Sequence, residues 1–465
     1  MQETLDNKEL LKAFALANKD AGVKLYQVGG SVRDELLDRP INDLDLVIVG
    51  KRPDELDWES FGFKLIPSHG RSFSIWALVA GNAQRIQLSI PRKREEGRIK
   101  LSPTYTIEDD LLARDFTVNA MAVDLATGRL VDPTGRGYLD LKGNLIQAVY
   151  PNAFKDDPIR MLRAVRLVAD LDFQLSNWTE LMVWQDADLL REAGTGSFVE
   201  RVTQELNKIL LSRRPKQALK DLLELRLLQQ VLPELMPMVN HPQNEYHKLD
   251  VYAHTAEVLE HTTADLTLRW AALLHDMAKP YKAEPRKQGT GFSFIGHDVL
   301  GADMAEKLLQ RLGQPHRMTK DVCTLVRHHM YDIAYAAGKS MRRTLAVVGK
   351  DLMPRLLALK VADMQGSKNC LEREFVAFAA AAGRMLEIMS SEPVATDPRA
   401  LAVNGYDLID LGIPEGPELG EILNIIRERV IDDPSLNDKE ALLAWVKASL
   451  HPDGTLKEVA EGVNA

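Results

Sequence analysis

The chain has 465 residues and is 45% hydrophobic, long enough for roughly three domains and too apolar for wholesale disorder. A net charge of −9 counts mildly against a uniformly basic nucleic-acid binder, although net charge does not report a local field. Its two cysteines, Cys323 and Cys370, lie far apart outside any CxxC, which argues against a thiolate metal site and fits a reduced cytoplasm.

In chain order, the first predicted element is an amphipathic helix near Thr4 to Ala21, carrying charges of both signs. It lacks the apolar core of a secretory signal, and no later run approaches the ~20 apolar residues that cross a bilayer, so no membrane association is expected. Leu25 to Val28 reads as a strand. Gly29 and Gly30 have no Cβ and let backbone approach something bulky before a helix that carries Arg33 and Asp34. A second apolar run begins with Asp43 and Asp45. Residues two apart in a strand share a face, so the pair presents two carboxylates, with Leu44 and Leu46 turned away. Two like charges that close repel unless a cation lies between them. Hard oxygen ligands suit Mg²⁺, which also takes phosphate oxygens. A lone D-x-D equally describes a strand edge with two solvated acids. The GG-x-x-RD stretch just upstream adds a phosphate cradle beside the carboxylates and favours a nucleotide and metal site.

Ser74 to Val79 and Arg85 to Ile90 read as further strands, and the α/β part runs to about Val149. Pro91 to Pro103 is polar, highly charged and aperiodic, and is expected to be a mobile loop. Arg114 and Asp115 follow in RDFTVNAM, which by itself also fits an ordinary helix surface. From about Asp156 the pattern is helical. Arg160, Arg163 and Arg166 recur every third residue on one broad helix face, where they repel one another unless they meet anions; a solvated basic face is the simpler alternative. Asp157 can accept a hydrogen bond from an exocyclic amine, and Arg160 can donate to a ring nitrogen or carbonyl. Cytosine and adenine match that pair; uracil and guanine place a carbonyl where the amine is needed. Basic residues also gather at Arg92, Lys93, Arg94, Arg98 and Lys100 and at Arg213, Arg214 and Lys216, so one positive stripe is expected.

Helical spacing continues through Leu206, Ile209, Leu210, Leu219, Leu222, Leu223 and Leu227, with breaks at Pro215 and Pro233. A second helical block runs from about Tyr246 to Gly366 and a third from Leu371 to Leu450, before a polar tail expected to fray. His254, the adjacent His275 and Asp276, and the distant Asp363 form a ligand set for a hard or intermediate divalent ion. His297 and the RHH at Arg327 to His329 are nearby candidates. Each histidine taken singly also fits a helix cap.

GGSVRD followed by DLD resembles the nucleotidyltransferase head of the class II tRNA nucleotidyltransferase and bacterial poly(A) polymerase family. RDFTVNAM resembles that family's RRDFTINAM segment, with Ala113 where an arginine is usual, and the resemblance implies that Arg114 contacts nucleotide phosphates. VDPTGRGYLDL, Val131 to Leu141, resembles its D-P-x-x-G-x-x-D-L connector. DDPIRMLRAVRL resembles its E-D-x-x-R motif, with Asp156 for glutamate and Leu167 for a frequent phenylalanine. The His–Asp block resembles the HD phosphohydrolase superfamily.

The implied fold is α+β: a polymerase-beta-like α/β head (1–149), an all-α neck (150–240), an HD domain (241–370) and a helical tail (371–465). The implied activity is template-independent addition of CCA to the 3′ end of tRNA from CTP and ATP. Asp43 and Asp45 would hold Mg²⁺; Gly29, Gly30, Arg33 and Arg114 the triphosphate; Asp157 and Arg160 the base, with Arg163 and Arg166 behind. His254, His275, Asp276 and Asp363 would hold a second divalent transition metal, in a domain that either hydrolyses phosphoesters or binds RNA. The expected location is cytoplasmic, and no protein partner is evident. Three alternatives stand beside this. A CC-only transferase is suggested by the short Pro91 to Pro103 stretch. A poly(A) polymerase would usually carry G-[RK]-[RK]-F where this chain reads SHGRSFSIWAL. An HD phosphohydrolase with a vestigial head is opposed by the intact Asp43 and Asp45.

Overall fold

The computed structural model describes residues 2–41, 43–67, 75–81, 85–96, 98–192, 197–243, 248–287, 290–367, 372–392 and 397–449. Of the positions named above, 68–74, Tyr246, Cys370, Leu371 and everything from Leu450 onward lie outside them. The chain forms two compact units, Met1–Pro233 and Glu234–Ala465.

The first unit opens with helix α1 (Gln2–Ala17), strand β1 (Lys24–Val28), helix α2 (Gly30–Leu36) and strand β2 (Asp45–Val49). Strands β3 (Phe63–Pro67), β4 (Ile75–Ala80) and β5 (Arg85–Ser89) follow, then β6 (Arg92–Glu95), β7 (Arg98–Leu101), helix α3 (Ile107–Leu112), β8 (Ala122–Asp124) and β9 (Leu130–Val131). Seven strands form one sheet in the order β3-β4-β5-β2-β1-β8-β9. Only the β2–β5 pair is parallel. The alternation of β1 and β2 is what builds both faces. Leu25, Leu46 and Ile48 point to one side and pack with Leu11 and Phe14 of α1, Trp58, Leu78 and Leu88. Phe14 stacks on Trp58 with centroids 3.9 Å apart. Tyr26, Val28 and Val47 point to the other side, against Ile107 and Leu111 of α3, Ala120 and Ala122. Burying each of these large side chains contributes about 1.5–3 kcal/mol before the entropic cost is counted.

Two expectations need correction. Pro91 to Pro103 is not a loop: β6 and β7 form an antiparallel hairpin, with Arg92 opposite Leu101 and Glu95 opposite Arg98. β6 carries no apolar residue, and the two in β7, Ile99 and Leu101, are exposed, so ion pairs hold the hairpin in place of a buried apolar face. Arg92 pairs with Asp110, Lys93 with Asp109, Arg94 with Asp156 and Lys100 with Glu95. Asp43 precedes β2 and does not lie in it. Leu44 is nonetheless buried with Leu46 in the core on the α1 side, as the alternation demands.

The rest of the unit is helical. The Ile159–Leu171 helix packs against the Ser197–Leu211 and Pro215–Glu224 helices, the last with proline in its first turn, where no intrahelical donor is lost.

In the second unit, helices Val251–Glu260, Leu266–Leu274, His297–Arg311, His316–His328 and Met353–Gly366 pack together. Glu372–Ser391 follows; further on, Pro417–Asp432 and Lys439–Ser449 share a core built on Ile422, Ile426, Leu442 and Val446. Among the described residues, no helix is long and apolar enough to cross a membrane.

Candidate functional site

The residues proposed from the sequence to hold metal and nucleotide in the head and neck (Gly29, Gly30, Arg33, Asp43, Asp45, Arg114, Asp157, Arg160, Arg163 and Arg166) line one cavity of about 580 Å³ in the first unit. Asp43 and Asp45 contribute carboxylates for which the described residues supply no hydrogen-bond partner. Burial raises the Asp45 carboxyl above its ordinary range, and Asp43 beside it adds to the rise against the pull of Arg114. This oxygen-only pair, strained by like charge, is the donor chemistry a hard divalent ion relieves.

Gly29 links strand to helix at φ 71°, a backbone region that L side chains rarely adopt. A Cβ there would sit 2.6 Å from Arg114 Nη1 and would push that guanidinium aside. Arg114 donates through Nε to Asp110 Oδ2 (2.9 Å), and its Nη2 lies 2.8 Å from the same oxygen in an ion pair. Burial opposes ionisation of Asp110, but Arg114 and Arg92 hold its carboxyl below the usual range. Arg33 is fixed by Asn119 Oδ1 at 2.7 Å and by Asp34 at 2.8 Å. Both guanidiniums are thus aimed by buried or half-buried partners, with little rotamer entropy left to lose on meeting an anion.

Arg160 is 7% exposed and donates to the Tyr150 hydroxyl (2.7 Å) and the Ala113 carbonyl (3.1 Å). Asp157 does not pair with it. Asp157 Oδ2 meets Arg201 Nη2 at 2.6 Å, and Arg201 lines the same cavity. Arg163 pairs with Asp115 at 2.9 Å and Arg166 with Glu205 at 2.9 Å. These carboxylates answer the repulsion that three arginines on one helix face would otherwise feel.

Sequence reasoning missed Arg92, Arg201, Asp115 and Asn119 as cavity residues. Arg92 was assigned to a loop, and nothing near Arg201 marks it. The Ala113 position offers no cation, and its side chain is buried; Arg92 and Arg201 carry positive charge into the cavity instead. Arg213 and Arg214 line a separate hollow with Arg39, so the basic clusters do not all converge on this cavity.

Asp115 makes a testable contribution. Burial opposes its ionisation, but Arg163 and then Arg160 bring its carboxyl down to about 2 from 3.8. A depressed carboxylate stabilises the fold above its unfolded pKa and loses that contribution as pH falls through the folded value. Asp115 therefore supplies about 2 kcal/mol at neutral pH, lost between about pH 4 and pH 2. An Asp115→Asn chain is expected to show a flatter dependence of urea midpoint on pH across that window. An unchanged slope would remove Asp115 from the acid transition.

In the second unit, His254 stands on the Val251–Glu260 helix, His275 caps Leu266–Leu274, Asp276 follows in the turn, and Asp363 lies on Met353–Gly366. Gly366 lets the first and last of these helices touch: a Cβ there would come within 2.8 Å of Val258. His254 Nε2 is 3.1 Å from Asp363 Oδ1 and 3.7 Å from Asp276 Oδ2. His275 donates Nδ1 to the Ala272 carbonyl (2.8 Å), which turns Nε2 toward Asp276 Oδ2 at 3.1 Å, outside hydrogen-bond geometry. Lys279 Nζ is 2.6 Å from the same oxygen and 2.9 Å from Gln243 Oε1. Against burial, His275 and Lys279 hold Asp276 well below the carboxylate range, and Asp276 in turn holds His275 above the imidazole range. The sequence-predicted ligands therefore converge, and His254, His275 and Asp276 offer atoms within 4.8 Å of one another. Buried His275 Nε2 lacks a hydrogen-bond partner, which fits a set made to take a metal ion, while Asp276 Oδ2 is ion-paired with Lys279.

Family models match three stretches: the poly A polymerase head domain at residues 25–147, the probable RNA and SrmB-binding site of polymerase A at 173–238, and the HD domain at 245–364. The chain is 34% identical over 425 residues to an A-adding tRNA nucleotidyltransferase of Deinococcus radiodurans, covering 86% of this chain and 90% of that protein. It is 30% identical over 423 residues to a multifunctional CCA protein of Xanthomonas campestris pv. campestris, covering 86% and 96%. Its fold is similar to that of the Bacillus stearothermophilus CCA-adding enzyme solved in complex with CTP, with a TM-score of 0.67 at 24% identity over 94% of this chain and 96% of the other.

Proposed function

As the chain belongs to the tRNA nucleotidyltransferase family and carries a poly A polymerase head and an HD domain, we propose that it adds C and A nucleotides to the 3′ end of tRNA from CTP and ATP, without a template. The observation that carries this is the single cavity that gathers Asp43, Asp45, Arg33, Arg114, Asp157 and Arg160. In this reading Asp43 and Asp45 hold Mg²⁺, which when bound supplies charge neutralisation at the α-phosphate and acidifies the RNA 3′-hydroxyl. Gly29 and Gly30 leave room for the triphosphate, and Arg33 and Arg114 bind it. Asp157 accepts the exocyclic amine of C or A, and Arg160 donates to the ring, with Arg163 and Arg166 behind holding the helix face. The Asp157 carboxylate keeps acceptor sites beyond the one Arg201 takes. The helical remainder holds tRNA by shape and backbone charge. The head (1–149), neck (150–240), HD domain (241–370) and tail (371–465) are its functional divisions, and its place is the cytoplasm. In the HD domain, His254, His275, Asp276 and Asp363 hold a divalent transition metal that supports phosphoester hydrolysis.

The test is purified protein with tRNA lacking its 3′ CCA, offered each nucleoside triphosphate separately. CTP and then ATP incorporation is expected; no incorporation of either overturns the reading. One observation favours a second reading: the Deinococcus radiodurans relative, at 34% identity, is named A-adding. An A-only enzyme would ignore CTP and use ATP on tRNA already ending in CC, so the two substrates separate the readings.

Base choice gives a further prediction. Asp157→Ala removes the amine acceptor, worth about 1–3 kcal/mol of discrimination. Relative use of UTP and GTP is expected to rise by about 10-fold to 100-fold, more than CTP addition slows. A variant slower with every nucleotide yet equally selective would make Asp157 structural.

A further inference from the structure

We propose that Tyr150 is a positioning residue of the base-reading site: its hydroxyl fixes the Arg160 guanidinium and so sets which nucleotides the cavity accepts. This rests on the reading of Asp157 and Arg160 as the groups that meet the base.

Tyr150 is not among the residues that line the cavity; it stands behind Arg160, which is. Arg160 Nη1 donates to the Tyr150 hydroxyl at 2.7 Å, and that hydroxyl donates its own hydrogen to Asp156 Oδ2 at 2.9 Å. A phenol has one hydrogen to give, so with Asp156 taking it the oxygen turns only lone pairs toward Arg160. The hydrogen bonds therefore run in one order, from guanidinium to phenol to carboxylate, and each polarises the next. Burial raises the Tyr150 phenol above its ordinary range, so the hydroxyl keeps its proton at neutral pH and the order holds.

The far end of this chain is anchored as well. Asp156 Oδ2 accepts from Arg94 Nε at 2.5 Å, and Oδ1 from Arg94 Nη2 at 3.3 Å. Arg94 belongs to β6, and its guanidinium carbon lies 4.8 Å from the centre of the Tyr150 ring; that of Arg160 lies 5.6 Å from it. Both cations thus lie over the ring. Among the described residues no ion pair joins Asp156 to Arg160, so the Tyr150 hydroxyl is the link between them.

A guanidinium has five N–H donors in one plane. Arg160 Nη1 meets Tyr150 and, at 3.4 Å, the Ala153 carbonyl, and Nη2 meets the Ala113 carbonyl at 3.1 Å. Nε and one Nη2 hydrogen are left for a base. The Tyr150 contact is the shortest of the three, and because the group is planar, fixing Nη1 fixes the angle at which the remaining donors meet a base edge. Hydrogen bonds weaken steeply as that angle departs from linear, so a guanidinium free to rock reads a base poorly.

The experiment compares the wild-type chain with Tyr150→Phe, which keeps the ring under both cations and removes only the hydroxyl. Incorporation of CTP, ATP, UTP and GTP is followed on tRNA lacking CCA and on tRNA ending in CC. Inorganic tripolyphosphate serves as an inhibitor that has no base to read. Preference for C and A over UTP and GTP is expected to fall by about 5-fold to 30-fold, the loss of one hydrogen bond to a charged group. The loss should appear as a higher KM for the correct nucleotides with kcat less changed, since base contacts hold ground state and transition state alike. Inhibition by tripolyphosphate and the melting temperature should stay as in the wild type. Unchanged selectivity and KM overturn the inference and leave the proposed function standing. Weaker inhibition by tripolyphosphate in step with a higher KM, or equal slowing with all four nucleotides, also overturns it, because Tyr150 then supports the cavity as a whole. A wild-type chain that incorporates neither CTP nor ATP overturns the proposed function and this inference with it.

Discussion

Asp43→Ala or Asp45→Ala is expected to leave the fold intact and lower nucleotide addition by several orders of magnitude. The fold should survive because neither carboxylate is a structural partner. Asp43 is exposed, Asp45 is half-buried, and burial together with Asp43 pushes the Asp45 carboxyl up. Removing one charge relieves that repulsion, so the melting temperature should hold or rise slightly, as is common where a site is strained for function. Activity should collapse because, in the proposed function, these carboxylates hold the ion that neutralises charge during phosphoryl transfer, the largest single catalytic contribution in such reactions. Thermal melts with incorporation of labelled CTP into tRNA lacking CCA check both halves. Substantial transfer by either folded variant would sink the assignment.

The second large effect is selective. His275→Ala combined with Asp276→Ala is expected to abolish metal-stimulated hydrolysis of a phosphomonoester or a 2′,3′-cyclic phosphate while CTP and ATP addition to an unblocked tRNA persists. The separation follows from the two compact units, 1–233 and 234–465, which hold the two sites. Removing Asp276 also leaves the buried Lys279 ammonium without its carboxylate, and an unpaired buried charge typically costs about 3–5 kcal/mol. Asp276→Asn, which keeps the shape and drops the charge, separates lost chemistry from local unfolding if both are followed by hydrogen exchange. Absence of hydrolysis by the wild type with Mg²⁺, Mn²⁺, Ni²⁺ or Co²⁺ would assign this block to RNA binding or to structure.

The elements that were legible in sequence are those whose geometry is local. A strand's two-residue period was enough to send Leu44 and Leu46 to one core while Asp43 and Asp45 stayed out of it. The glycine pair announced a close approach, and Gly29 meets Arg114 there, 85 residues on. The HD pair, with a histidine upstream and an aspartate downstream, comes together in the fold, His254 Nε2 lying 3.1 Å from Asp363 Oδ1 and 3.7 Å from Asp276 Oδ2.

What only the tertiary structure decided is which distant partner each charge meets. Asp157 takes Arg201 and not Arg160, Arg163 takes Asp115, and Arg166 takes Glu205. The β6–β7 hairpin escaped the sequence reading because β6 has no apolar residue and is held by ion pairs to α3 and to Asp156, while the alternation of β7 spans only four residues. Of two adjacent histidines in RHH, helix rotation alone sends His329 to Asp276 and His328 elsewhere. Side-chain chemistry and short spacings are written in the chain itself. The pairing of charges is set by packing across the fold, because a Coulomb attraction has no preferred sequence separation.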